Sequence, residues 1–117
     1  MKISQMLLTL LLLGQSGFLQ AADRNLWCSG KLDGVYVNTY GEVTIKGDWG
    51  TWTQICNTKT PTAVDAVTCS LWASYAATAV KDNLDVMLMY STSYDCNTLP
   101  GYSAAPTPFY FMLKPTK

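Results

Sequence analysis

GVYVNTYGEVTIKG, residues 34–47, alternates Val35 and Val37 with Tyr36 and Asn38, then Val43 and Ile45 with Thr44 and Lys46. Period-two alternation on both sides of a short polar break is the signature of a β-hairpin, and Gly41 can supply the positive φ that its turn near Tyr40 to Glu42 requires. Working outward, TWTQIC from Thr51 is rich in β-branched and aromatic residues and makes a third strand, which TKTPT ends at Pro61. Thr62 with Asp65 three residues later is a capping pattern, opening a helix that runs to about Lys81 and exits through Asp82 and Asn83. Its residues Val64, Val67, Leu71 and Tyr75 recur at helical spacing and predict the face packed on the sheet. Leu84 to Tyr90 and Phe109 to Leu113 are the last two strands.

The resulting order, βββαββ, describes a mainly β, α+β domain. A small five-stranded OB-fold-like barrel with its helix plugging one end satisfies it. An open α+β sandwich of the same elements is the alternative.

The chain begins with Lys2, an apolar run from Met6 to Leu13, and small residues at Ala21 and Ala22. That pattern predicts a signal peptide over residues 1–22, the run being too short to span a bilayer, and a single domain over 23–117 that is secreted or periplasmic and not inserted in a membrane. Without Lys2 there remain seven basic residues against eight acidic ones. Near neutrality with no basic stripe argues against nucleic acid as a partner.

Four cysteines, Cys28, Cys56, Cys69 and Cys96, all fall in the mature part. An even count in an exported chain reads as two disulfides, with three possible pairings. Cys56 with Cys69 closes a short local loop, and Cys28 with Cys96 ties the start of the fold to its last third; this is the preferred pairing. With no His and no Cys-x-x-Cys, neither a metal site nor a cofactor is expected.

Trp49 and Trp52 lie in GDWGTWTQIC, residues 47–56. Regular alternation would put Trp52 and Cys56 on one face, with Trp52 over the disulfide, and Ile55 in the core. Either the two rings are packing residues or one is a stacking platform for a ligand. The loop from Ser91 to Pro108 is long for so small a domain, and Tyr94 and Tyr102 flank its Cys96 anchor. Trp49, Trp52, Tyr94 and Tyr102 are therefore the candidate ligand-binding residues.

Two features suggest a homo-oligomer. Ala66 to Val80 contains no charge, and Ser70, Ala73, Ser74 and Ala77 form a small-residue side on which another helix could pack. Met87, Met89, Tyr110 and Met112 alternate with the apolar core positions of the last two strands and could form a contact patch. No catalytic residues are identified, because the carboxylates are scattered among turns and termini and no motif supplies a nucleophile or base.

CSGK, WTQICN, CSLWASYAATAV, LDVMLMY, CNTLPGY and PFYFMLK resemble a group of short exported bacterial proteins with this cysteine and tryptophan framework, a likeness that brings no residue roles with it. In architecture, CSGK before the hairpin, the helix leading into NLDVMLMY and the late Cys96 also resemble the OB-fold binding subunits of Shiga- and pertussis-type toxins. That resemblance implies an oligomeric, non-catalytic, glycan-binding module. The alternative is an envelope protein that engages or inhibits another protein.

Overall fold

The computed structural model describes residues 22–114; the signal-peptide reading falls, except for Ala22, outside them. Strand β1 runs Arg24–Val37, β2 Glu42–Gly47 and β3 Trp52–Asn57; helix α1 runs Ala66–Asp82, followed by β4 Asp85–Thr92, a 3₁₀ turn Cys96–Thr98 and β5 Tyr110–Leu113. The order is βββαββ, and the five strands form one antiparallel sheet in the spatial order β3-β2-β1-β4-β5. The sheet is open, which corrects the expected closed barrel. β5 is only four residues long and pairs with β4, while the loop preceding it reaches the far edge instead. There Tyr102 forms a single parallel bridge to Thr53, its N–H donating to Trp52 O (2.8 Å) and its carbonyl accepting from Gln54 N (3.1 Å).

β1 is twice as long as the hairpin pattern indicates. Its first half, Arg24 to Lys31, pairs with β4, and its second half, from Leu32 to Val37, pairs with β2 across an irregularity between Leu32 and Gly34. One strand thereby serves two partners by bending. Gly30 sits beside this bend because a Cβ there would run into the carboxylate of Asp48, which accepts from Lys31 N (3.3 Å). The hairpin turn is held by Asn38, whose Oδ1 accepts from Tyr40 N (3.0 Å) and Glu42 N (3.1 Å), with Gly41 at φ 81° as predicted.

A bulge in β3 changes the face of Cys56. Thr44 pairs with Gln54 and Val43 with Cys56, leaving Ile55 as an extra residue. Ile55 and Cys56 both turn inward and are buried. Trp52 therefore does not lie over the disulfide: it stands on the outer face, against Tyr36 (ring centroids 5.3 Å) and above Gly34.

The helix also presents a different face from the one its large apolar residues suggest. Cys69, Trp72, Ala76 and Ala79 are buried against the sheet, whereas Val67 is 73% exposed and Leu71 51%. Two constraints explain the rotation. Cys69 is bonded to Cys56, which pins its side of the helix to the sheet. Ala76 and Ala79 then allow close approach of the backbone, and Trp72 fills the remaining gap against Phe111 (ring centroids 6.2 Å). The helix starts one turn later than Thr62 implies. Its N-cap is Asp65, whose Oδ1 accepts from Thr68 N (2.7 Å), and this bond, with further ones from Thr68 and Val67, holds the carboxyl below its ordinary pKa. Asn83 in the left-handed conformation closes the other end.

The core lies between α1 and the inner face of the sheet and includes Cys28, Val43, Ile45, Ile55, Val86, Leu88, Tyr90 and Phe111. Both disulfides form in the preferred pairing: Cys28–Cys96 joins β1 to the 3₁₀ turn, and Cys56–Cys69 joins β3 to α1. Among the described residues no helix is long and apolar enough to cross a membrane.

Candidate functional site

The four aromatic residues singled out above do not share one site. Trp49, in the β2–β3 turn, is half-buried against the core, its ring filling the space that a Cβ on Gly47 would need. Tyr94 is exposed just after β4. Trp52 and Tyr102 are brought together, but by main-chain hydrogen bonds. Tyr102 is exposed and holds a positive φ of 55°, which aims the chain from Gly101 into Ser103 along the β3 edge.

That edge borders a cleft of about 310 Å³ between β3, residues 60–62 and residues 103–107. Its polar lining is Gln54, Asn57, Thr60, Thr62, Ser103 and Thr107, four hydroxyls and two amides without a single charge. The Cys56–Cys69 disulfide fastens its wall to the helix. Asn57 Oδ1 accepts from Lys59 N and Thr60 N (both 2.8 Å), which folds the 57–60 turn beside the cleft. Gln54 Oε1 is buried and has no hydrogen-bond partner among the described residues. An unmet acceptor of this kind typically costs about 1–3 kcal/mol, which a donor in the cleft recovers once the Gln54 amide turns toward it.

These residues escaped the sequence reading, although two signals pointed near them: the flagged long loop contributes Ser103 and Thr107, and strand alternation puts Gln54 on the face of Trp52. The pairing of loop with edge strand is a tertiary event that no local pattern encodes.

A second surface lies on the outer face of β1, β4 and β5. Trp27, Met89 and Tyr110 are aligned across the three strands. The rings of Trp27 and Tyr110 are nearly parallel, 6.2 Å apart, and Met89 between them is buried. Met112 beside them is exposed, and Met87 half-buried. Of the small helical residues, Ser70, Ser74 and Ala77 face outward beside Val67 and Leu71, while Ala73 packs partly against the core. Ser70 Oγ donates to Ala66 O (2.9 Å) within its own helix.

All four cysteines are in disulfides, and no cluster of metal-ligating side chains occurs among the described residues. The ion pairs Arg24–Asp95, Lys31–Asp85 (3.0 Å) and Lys46–Asp33 (2.6 Å) are at the surface, away from the cleft lining. Comparison with protein-family models, curated proteins and solved structures returns no match, so the resemblances to exported bacterial proteins and toxin binding subunits rest on the quoted motifs alone.

Proposed function

We propose that the protein is an exported, non-catalytic binding module that holds an uncharged, hydroxyl-rich ligand, a glycan, in the cleft beside β3. The observation that carries this reading is the uncharged hydrogen-bonding lining around the unpartnered Gln54 Oε1. A charged ligand would lose its hydration shell and find no counter-charge there, and a hydrocarbon would leave two amides and four hydroxyls unpaired. A sugar, with many hydroxyls that both donate and accept, matches such a lining and supplies the donor that Gln54 lacks. Tyr102, exposed at the rim, offers a face for stacking. Export is supported by the leader-like residues 1–22 and by two disulfides, which persist in oxidising compartments.

A glycan array probed with the purified protein, followed by calorimetry on the hits, tests this. Gln54→Ala and Ser103→Ala are each expected to weaken binding roughly tenfold without lowering the unfolding midpoint, consistent with about 1.4 kcal/mol per lost hydrogen-bonding group. The affinity should barely change with salt, since no ion pair is involved. An array without hits, or hits whose affinity ignores both substitutions, rejects the reading.

A further inference from the structure

The two edges of the sheet are treated differently. The β3 edge is partly covered by Tyr102 and the loop that follows it, whereas β5 pairs with β4 alone among the described residues. Lys114 N donates to Asp85 O (2.9 Å), so the alternation of an antiparallel ladder turns the N–H and C=O of Phe111 and Leu113 away from β4, toward the open edge. Natural edges are usually blunted by charges, bulges or an inward-pointing lysine. Residues 109–113, FYFML, carry none of these, and Pro108 and Pro115 bracket the run without interrupting it. Beside this edge lie Phe109 (65% exposed), Tyr110 (53%) and Met112 (41%), with Trp27, two strands in, stacked on Tyr110.

We propose that β5 is a self-pairing edge, through which two copies of the chain form an antiparallel, two-fold symmetric dimer centred on Phe111. The occupant is a second copy because the segment complements itself. With Phe111 opposite its counterpart, Tyr110 faces the second copy's Met112 on the outer side, an aromatic–sulfur contact. On the inner side, Phe109 faces the second copy's Leu113 and loses its exposure. Phe111 exchanges both its outward N–H and C=O with its counterpart and Leu113 N–H meets the second copy's Phe109 carbonyl, the Phe109 N–H itself being kept by Met89 O (2.7 Å); Pro108, which has no N–H to give, limits pairing on that side. An uncharged run offers an unrelated charged partner nothing, while two copies of a near-neutral chain do not repel each other. Two exposed rings, one methionine and the edge backbone supply roughly 350–450 Å² per copy, a total of roughly 700–900 Å². That is the size of a weak, transient contact and corresponds to a dimer that forms only as concentration rises. The dimer is closed, since pairing consumes the β5 edge of each copy.

Sedimentation velocity on the purified protein from low to high micromolar concentration is expected to show the mass rising from one chain to two and stopping there. Met112→Lys should hold it at one chain across the range, whereas Leu71→Lys, on the exposed helix face, should leave the dimer intact. Hydrogen exchange on the unsubstituted protein gives an answer even if Met112→Lys fails to fold: the amides of Phe111 and Leu113 should exchange at least tenfold more slowly at the highest concentration than at the lowest. A monomer at every concentration, growth beyond two chains, a dimer lost to Leu71→Lys but not to Met112→Lys, or concentration-independent exchange at Phe111 and Leu113 would each overturn the proposal.

Discussion

Tyr90 is the largest side chain buried to within 2% of full enclosure, and its hydroxyl has no hydrogen-bond partner among the described residues. Burial pushes its pKa well above the ordinary tyrosine value. The unfolded chain therefore loses this proton first as pH rises past about 10, so the associated stability is complete below that pH and declines above it. Tyr90→Phe removes both the unmet hydroxyl and this dependence. At neutral pH the substitution should raise stability by up to about 1 kcal/mol, and it should flatten the decline above pH 10, both measurable by denaturant unfolding. A clear loss of stability would mean that the hydroxyl is hydrogen-bonded after all. Gln54 differs in position: its unmet Oε1 belongs to a residue that lines the cleft beside β3, so under the proposed binding role a ligand's donor could relieve there a deficit that the core leaves in place.

At the scale of the element, α1 shows how a covalent bond overrides side-chain size. Leu71 and Val67 are the larger apolar residues, yet the Cys56–Cys69 bridge turns Ala76 and Ala79 to the sheet and leaves them outside. Opposite responses to substitution follow. Leu71→Lys should change stability by no more than about 0.5 kcal/mol, as is usual for exposed positions. Ala76→Leu, which forces extra methylene groups between helix and sheet, should cost about 1–3 kcal/mol. Thermal unfolding of the two variants side by side checks the assignment, and reversal of their order would return the helix to the face its periodicity suggested. The bulge at Ile55 acts in concert with the bridge, since only a shifted Cys56 points inward to meet Cys69.

For the whole molecule, the bridges divide their work by loop length. Cys28–Cys96 spans 68 residues and Cys56–Cys69 spans 13. On the chain-entropy argument these correspond to roughly 4.4 and 2.9 kcal/mol, in a domain whose whole net stability is expected to be about 5–15 kcal/mol. Replacing Cys28 and Cys96 together by Ala should therefore lower the unfolding free energy by about 1.5 kcal/mol more than replacing Cys56 and Cys69. Equal losses would show that local strain or residual structure in the unfolded chain governs instead. The long bridge also fixes the start of the β4–β5 loop, whose later residues form one wall of the cleft.

Much of this was written into the linear sequence because it depends on neighbours. Alternation over residues 34–47 and 51–56 specified the hairpin and third strand, the capping pattern near Asp65 with the helical spacing of Val64, Val67, Leu71 and Tyr75 specified a helix though not its buried face, and the parity of cysteines with their spacing indicated which would pair. What lay beyond local reading was every feature that required two distant segments to meet. Arg24 to Lys31 became a strand only because β4 lay beside it. Tyr102 took the place on β3 that a closed barrel would have given to β5, and the cleft opened where its loop passed Gln54. The helix turned on a bulge and a disulfide whose geometry neither segment contains alone. Periodicity reports which positions can be buried, whereas the choice among several apolar faces belongs to the packing and the cross-links that close around them.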